Sequence, residues 1–402
     1  MSEWLDKTHV GDCRELLQAM AQDGLRVQTC VTSPPYFGLR DYGTAVWEGG
    51  RSECDHLQKR GDGGSAIQAA NPGSRDRQYH AVCSRCGARR IDRQIGLEPT
   101  PVEYVNELVC LFRQVRQLLT SDGTLWLNLG DCYAAKGKPG RNNLGRLSER
   151  HRGGGLKEDS IDRPDRTVPD GVKAKDLLGI PWMVAFALRD DGWHLRAEVI
   201  WHKPNAMPES VRDRPTKAHE HVFLLTVSPR YYYDAEAIYE PSREASIARA
   251  GRRRSPSHKW IEGPGLQTIA VNEPVAGREK KTRSVGVGAN PRPRKAVPNA
   301  LFGEDSDYES QSAGIYRNAR SVWTIPTQGF RGPHFAAFPQ SLVRRCILAS
   351  SRPTDIVLDP FAGSGTVMQV ATDLGRRYVG CELRQAYVDL HEHRRTTLGF
   401  PL

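Results

Sequence analysis

Residues 355–366 read DIVLDPFAGSGT, a pattern of strand, turn and helix start. The apolar run between the two aspartates predicts a short buried strand over residues 355–359. The glycines that follow permit a tight turn, and apolar residues over 367–374 recur at helical spacing. This stretch therefore predicts one strand-turn-helix unit.

The same alternation continues over much of the chain. The patterns predict further strands over 27–32, 123–129, 197–201, 222–227 and 377–382, and helices over 102–119, 177–189, 341–349 and 385–395. Strands that alternate with helices of this length predict an α/β fold with a doubly wound, mostly parallel, Rossmann-like sheet. Ligands of such sheets bind beyond the carboxyl ends of strands, so the residues there are the site candidates.

The basic excess of the chain lies in two stretches. The 402 residues carry a net charge of +10, and residues 241–300 hold thirteen Lys and Arg against four Glu. Residues 136–175 hold eleven Lys and Arg against six acidic residues. Both stretches are rich in Gly, Pro and Ser, which indicates loops. They are either solvated surface loops or a surface that binds nucleic-acid phosphates.

Composition excludes a membrane protein. No apolar run approaches the roughly 20 residues of a spanning helix, and the first residues lack a basic segment followed by an apolar one. We expect a cytoplasmic protein without membrane contact. The nine cysteines are then thiols or metal ligands, and for six of them, at positions 13, 30, 110, 132, 346 and 381, we expect burial.

Two strand ends carry candidate chemistry. After strand 355–359, the Gly-x-Gly turn allows close approach of a ligand, and Glu382 ends the next strand, where a carboxylate can bind ribose hydroxyls. No Gly-Lys-Ser/Thr is present, which excludes a P-loop. Residues 359–366 with Glu382 therefore form a candidate nucleoside-cofactor site, the alternative being a plain tight turn.

The second strand end is TSPPY at residues 32–36. Prolines lack N–H groups, so the carbonyls of Ser33 and Pro34 remain available as acceptors. The Ser33 hydroxyl and such a carbonyl suit the hydrogens of an exocyclic amine, and Tyr36 suits stacking on a planar ring. The alternative is a simple Pro-Pro turn.

Together, DPFAGSGT at 359–366 and TSPPY at 32–36 resemble the S-adenosylmethionine-dependent DNA amino-methyltransferases. The order, with the catalytic segment first and the cofactor segment last, resembles the permuted β class. Three more segments are similar to that family: 11–13 to the segment that reaches the cofactor adenine, 334–339 to one that lies against the cofactor, and 212–221 to the link with the target-recognition region.

The resemblance implies methyl transfer from S-adenosylmethionine to adenine N6 or cytosine N4 of a base flipped out of double-stranded DNA, with the base left open. It implies a homodimer as well. The implied catalytic residues are Ser33, Pro34, Pro35 and Tyr36. The implied cofactor-binding residues are Asp12, Cys13, Phe335, Phe338, Pro339, Asp359, Pro360, Phe361, Ala362, Gly363, Ser364, Gly365, Thr366 and Glu382.

The resemblance also suggests how the chain is divided. The catalytic half would comprise 1–48 and 91–240, a Cys/His-rich insert 49–90, the target-recognition region 241–330, and the cofactor-binding half 331–402. Within the recognition region, the expected DNA-binding residues are Arg252, Arg253, Arg254, Lys259, Lys280, Lys281 and Arg283.

The insert has the pattern of a small zinc knuckle. Cys83 and Cys86 form Cys-x₂-Cys before a glycine, and Cys54 with His56 completes four ligands for a structural Zn²⁺. His80 is a rival fourth ligand, and plain surface thiols are the alternative.

Two other functions compete with DNA methylation. An RNA or protein-amide methyltransferase would share the cofactor half, but a large basic insertion favours duplex DNA. A non-catalytic, zinc-containing DNA-binding regulator would leave both strand-end segments unexplained.

Overall fold

The structure is a computed structural model that describes residues 3–38, 45–54, 82–83, 85–134, 172–241, 316–327, 338–389 and 391. The chain forms two compact units, one of residues 1–234 with 321–402 and one of residues 235–320. In the described part of the chain, no helix is both long and apolar enough to cross a membrane.

The described residues form twelve strands. They are β1 (Lys7–Val10), β2 (Val27–Thr32), β3 (Val46–Glu48), β4 (Arg89–Ile91), β5 (Leu119–Leu129), β6 (His194–His202), β7 (His219–Thr226), β8 (Glu240–Pro241), β9 (Tyr316–Arg317), β10 (Val322–Thr324), β11 (Ile356–Asp359) and β12 (Arg377–Glu382).

Eight of these strands build the sheet of the first unit, in the order β1-β12-β11-β2-β5-β7-β6-β10. All neighbouring pairs are parallel except those that include β7, which runs against β5 and β6. Because β7 is reversed, its first residues lie at the edge where the other strands end. This placement brings one more strand to the edge where a ligand binds.

Among the described residues, five helices are complete: α1 (Cys13–Gln22), α2 (Pro101–Leu118), α3 (Ile180–Asp190), α4 (Gln340–Ser350) and α5 (Thr366–Asp373). Helix α2 begins at a capping box, in which Thr100 and Glu103 satisfy each other's backbone N–H groups, with Pro101 at the first position. Its apolar face is buried along its whole length. Capping and periodicity therefore agree on where this helix starts.

The core lies between the sheet and the helices. Buried residues of α1, α2 and α3 form one cluster with residues of β2, β5 and β7. Helix α4 packs on α5 and on β2 without joining that cluster. All six residues of β2 are buried, as expected for a central strand covered on both faces.

The sequence predicts most of this architecture correctly. The mostly parallel α/β sheet is confirmed, and strands 27–32 and 377–382 match to the residue. The helix predicted at 102–119 occupies 101–118, and of the helix predicted at 385–395, residues 385–389 and 391 are helical while the others lie outside the described residues.

Some elements differ from the prediction. The patterns did not indicate β1, α1 or β10, and β10 lies within the stretch 241–330 that was expected to be recognition region, yet it pairs with β6 at the sheet edge. The basic stretches at 136–170 and 242–315 lie outside the described residues, and so do all seven expected DNA-binding residues.

The described residues of the second unit are few. They form a short 3₁₀ turn, Glu236–Ile238, and the antiparallel pair β8 and β9. Glu240 in β8 forms ion pairs with Arg317 and Arg320. In the first unit, β3 and β4 form a separate antiparallel pair, and the cysteines of the insert lie between these two strands in sequence.

Candidate active site

A cavity of about 430 Å³ opens at the carboxyl edge of the sheet. Both sequence-predicted segments line it, one after β2 and the other after β11. From the candidate residues, the lining includes Asp12, Cys13, Ser33, Pro34, Pro35, Tyr36, Phe338, Asp359, Pro360, Phe361, Ala362, Gly363, Ser364, Thr366 and Glu382. Pro339 and Gly365 precede helices beside the cavity without lining it, and Phe335 lies outside the described residues.

The strand register explains why the two segments meet. Strand β11 pairs with β2 in parallel, with Leu358 opposite Cys30, so both strands end at the same edge. There the Thr32 hydroxyl donates to Asp359 Oδ1 over 2.6 Å, and the Phe361 N–H donates to the same oxygen over 3.0 Å. Residues 327 positions apart in sequence are thereby joined.

Burial governs the charge of Asp359. Its side chain is 3% exposed, and burial raises its pKa from 3.8 to about 7, against the lowering effect of the hydrogen bonds from Thr32 and Phe361. A cation in the cavity would favour the ionised form of this carboxyl group.

Glu382 and the glycine turn form one hydrogen-bonded unit. The Gly363 N–H donates to Glu382 Oε2 over 2.9 Å, and the Arg384 N–H donates to Oε1 over 3.0 Å. Burial raises the pKa of Glu382. These bonds fix the carboxylate at the cavity wall, where the sequence places a ribose ligand.

The turn itself requires glycine at position 365. Its φ is +78°, in the left-handed region, and a β-carbon there would approach the ring of His391 to 2.5 Å. His391 Nε2 in turn lies 2.8 Å from the Gly363 carbonyl oxygen. The side chain of His391 therefore supports the turn from outside.

Segment 11–13 was expected to reach the cofactor adenine, but the carboxylate of Asp12 is bonded within the protein. Its side chain caps helix α1 and forms an ion pair of 2.6 Å with Arg14, so its charge is already engaged within the protein. The next residue, Cys13, is buried, which raises the pKa of its thiol to about 12. Arg14 and Arg93 also line this corner of the cavity.

A hydrogen bond from helix α2 holds the segment TSPPY in place. The Tyr104 hydroxyl donates to the Pro35 carbonyl over 2.9 Å, whereas no described residue donates to the Pro34 carbonyl. Pro34 thus keeps the free acceptor that the sequence predicts. The ring of Tyr36 packs against Gly130, where a β-carbon would overlap it.

Several lining residues were not among the sequence candidates, and four of them lie beside Tyr36 or its neighbours: Asn128, Trp201, Lys203 and Glu220. Asn128 Nδ2 donates to the Tyr36 hydroxyl over 2.8 Å, and Tyr36 donates to Glu220 Oε2 over 2.6 Å. In the sequence, Asn128 is a polar residue within an apolar strand, and Glu220 lies in segment 212–221, but neither pattern indicates a contact with Tyr36.

The insert brings three cysteines together. The sulfur atoms of Cys54, Cys83 and Cys86 all lie within 4.8 Å of one another, with 3.8 Å between Cys54 and Cys83. The antiparallel pair β3 and β4 positions them, and the Gly87 N–H donates to the Cys83 carbonyl over 2.8 Å, which closes the Cys-x₂-Cys-Gly turn. His56 lies outside the described residues.

The expectation of burial for the other six cysteines is correct for four. Cys13, Cys30, Cys346 and Cys381 are buried, and Cys132 is half-buried. Cys110 is exposed, because its position on α2 faces away from the core.

Sequence comparisons identify relatives of the whole chain. Residues 27–393 match the N6_N4_Mtase family, described as DNA methylase. The type II methyltransferase M.Cfr9I of Citrobacter freundii is 35% identical over 96% of this chain and 85% of its own length. M.SmaI of Serratia marcescens is likewise 35% identical, over 96% of this chain and 90% of its own length.

Solved structures give a weaker likeness. PvuII DNA methyltransferase, described as cytosine-N4-specific, has a TM-score of 0.47 and 15% identity, with 96% of this chain and 87% of that chain covered. A Thermus thermophilus DNA modification methylase, TTHA0409, complexed with S-adenosyl-L-methionine, has a TM-score of 0.44 and 18% identity, with coverage of 98% and 95%.

A mostly parallel sheet, a glycine turn with its strand-end glutamate, and an adjoining Ser-Pro-Pro-Tyr segment define a methyltransferase of the amino class. The chain belongs to the N6/N4 DNA methylase family. RNA methylation, protein-amide methylation and a purely regulatory role are not favoured by these relatives.

Proposed function

We propose that this protein transfers a methyl group from S-adenosylmethionine to the exocyclic amine of a base, adenine N6 or cytosine N4, flipped out of double-stranded DNA. The observation that carries this proposal is the single cavity in which the glycine turn and Ser-Pro-Pro-Tyr adjoin. A methyl donor and a methyl acceptor must meet in one place, and the cavity holds the residues suited to each.

One end of the cavity suits the cofactor. Glu382 would accept the ribose hydroxyls, and the backbone of Gly363 permits the cofactor to lie close to the turn. Asp359, whose carboxyl group is buried without a cationic partner among the described residues, suits a sulfonium cation nearby. When bound, this cofactor supplies an electrophilic methyl group.

The other end suits an aromatic amine. The amine lone pair is delocalised into the ring, so its two hydrogens must be held by acceptors while the lone pair faces the methyl group. Ser33 Oγ and the Pro34 carbonyl are those acceptors, and Tyr36 presents its ring to the base. The two target amines have the same donors beside a ring nitrogen, so these acceptors suit either one.

The proposal is tested by incubating the protein with DNA and radiolabelled S-adenosylmethionine, then hydrolysing the DNA to nucleosides. Label in N6-methyladenine or N4-methylcytosine supports it and names the base. Ser33→Ala should lower single-turnover transfer by about 10²-fold or more, because one acceptor is lost, while cofactor affinity stays unchanged. Full activity in Ser33→Ala would remove the assignment of TSPPY.

We also propose that the insert binds one structural Zn²⁺. The thiolates of Cys54, Cys83 and Cys86 are close enough to ligate one ion, and His56 is the fourth ligand by sequence. With four protein ligands the ion has no open position, so it would stabilise the insert and take no part in the reaction.

Metal analysis of dialysed protein tests the zinc site. We expect one zinc per chain in the wild type and in Cys110→Ser, a control at an exposed cysteine outside the cluster. Cys86→Ser should lose the metal and lower the melting temperature. Wild-type protein without stoichiometric zinc would contradict the site.

A further inference from the structure

Behind Ser33 and Tyr36 lies a cluster of three polar side chains that the proposed chemistry does not use. Asn128 belongs to β5, Glu220 to β7, and Lys203 follows the last residue of β6. All three line the cavity. They meet because the reversed strand β7 starts at the edge where β2, β5 and β6 end.

Glu220 is the centre of this cluster. Its Oε1 accepts from Lys203, and its Oε2 accepts both from the Tyr36 hydroxyl over 2.6 Å and from Asn128 Nδ2 over 2.9 Å. Every oxygen of the carboxylate is therefore bonded to a donor. The Tyr36 hydroxyl points into the protein, and Tyr36 offers the cavity its ring.

The carboxylate also decides how Asn128 is oriented. A flipped amide would place Oδ1 at 2.9 Å from a Glu220 oxygen, and two acceptors repel each other. Nδ2 therefore faces Glu220 with one hydrogen, and its second hydrogen is shared between the Tyr36 hydroxyl at 2.8 Å and Ser33 Oγ at 3.3 Å. Ser33 Oγ accepts this N–H with one lone pair and keeps the other for a ligand.

The charge of Glu220 depends on Lys203. The side chain of Glu220 is 14% exposed and that of Lys203 is 18% exposed. Burial alone would raise the pKa of Glu220, but the charge of Lys203 and the hydrogen bonds from Lys203, Tyr36 and Asn128 hold it below its ordinary value. Lys203 Nζ also lies 4.3 Å above the ring of Trp201, which limits where the ammonium group can go.

We propose that Glu220, neutralised by Lys203, is the positioning residue of this active site, holding Tyr36 by its hydroxyl and, through Asn128, holding Ser33 as an acceptor for the target amine. This role rests on the proposed amine methylation. Glu220 does not touch the substrate, and it acts through the two residues that do. A displacement of about 1 Å at the reacting groups costs on the order of 10²-fold in rate.

The first test is single-turnover methyl transfer by Glu220→Gln with saturating cofactor. The glutamine keeps the shape, but its amide nitrogen faces donors, so we expect a rate lower on the order of 10²-fold with unchanged cofactor affinity. Glu198→Gln is the matched control, since Glu198 lies on the neighbouring strand β6, pairs with His221 over 2.6 Å and does not line the cavity.

The second test uses pH, which a purely structural role would not affect. Lys203→Met removes the charge that keeps the pKa of Glu220 low, so the acid limb of the rate profile should move to higher pH, and Lys203→Arg should restore it. Tyr36, Lys217 and His219 are the other titratable groups near Glu220, and they remain in both variants.

Three results would overturn the proposal. The first is a wild-type rate in Glu220→Gln, and the second is a rate loss matched by equal losses of stability and cofactor binding. The third is an unchanged acid limb in Lys203→Met. If the wild type itself transfers no methyl group to DNA, the proposed function fails; if it does and Glu220→Gln is unimpaired, only the positioning role fails.

Discussion

At the scale of single residues, the two halves of the site are joined by the hydrogen bond between Thr32 and Asp359. Thr32 precedes Ser-Pro-Pro-Tyr, and Asp359 starts the glycine turn. A displacement of either segment would therefore strain this hydrogen bond and move the other segment. This bond crosses between two adjacent strand ends that the sequence places far apart. It accounts for the coexistence of a methyl donor site and an amine site in one cavity.

Asp359 should make the stability of the cofactor-free protein depend on pH. Its pKa is about 7 in the folded protein and near 3.8 when unfolded, so the folded state binds more protons between those values. The free energy of unfolding should therefore fall as pH rises from about 4 to about 7, by roughly 1–3 kcal/mol.

Melting curves of the wild type and Asp359→Asn across this pH range measure the effect. The asparagine stays neutral, so its stability relative to the wild type should increase toward pH 8. Parallel melting profiles for the two proteins would show that Asp359 is not the group responsible.

At the scale of elements, the start of α5 depends on Gly365, whose left-handed backbone only glycine adopts without strain. Gly365→Ala should lose about 1–2 kcal/mol through its left-handed backbone and should also displace His391. Because His391 supports Gly363, cofactor affinity should fall too.

Gly375→Ala is the matched control for the turn. Gly375 has a φ of +69°, but a β-carbon there meets no atom within 4 Å. Both variants should melt lower, Gly365→Ala more so because it also displaces His391, and only Gly365→Ala should bind the cofactor more weakly, as measured by calorimetry. Equal cofactor affinities would contradict the role of the turn.

The elements also show how far the sequence leads. Strand β2 could be predicted because all of its residues are buried and most are apolar or β-branched, whereas β1 has only four residues with exposed ends and β10 has three. The two strand-end motifs, at 32–36 and 359–366, correctly indicated where the cavity lies. The link between Asn128, Lys203 and Glu220 could not be predicted, because it depends on the reversal of β7, which no local pattern shows.

At the scale of the whole molecule, the net charge of +10 resides mainly outside the described scaffold. We propose that Arg252, Arg253 and Arg254 bind DNA phosphates. Reversing their charges should weaken DNA binding and reduce its dependence on salt, because fewer counterions are released, while cofactor affinity stays the same. An unchanged slope of log affinity against log salt would leave these arginines as ordinary surface residues.

The remaining divisions of the chain are proposals at the same scale. The recognition region at 241–330, the Cys/His-rich insert at 49–90 and the homodimer follow from the resemblance. Light scattering of the purified protein determines the oligomeric state, with twice the chain mass expected.

The central claim is that one cavity brings a sulfonium methyl group to an amine held by Ser33 and Pro34. The most direct measurement is mass spectrometry of nucleosides from duplex DNA after one turnover with methyl-labelled S-adenosylmethionine. We predict one labelled product, N4-methylcytosine or N6-methyladenine, which Ser33→Ala forms about 10²-fold more slowly or not at all. Label at a ring carbon, or no label in DNA, would contradict the account.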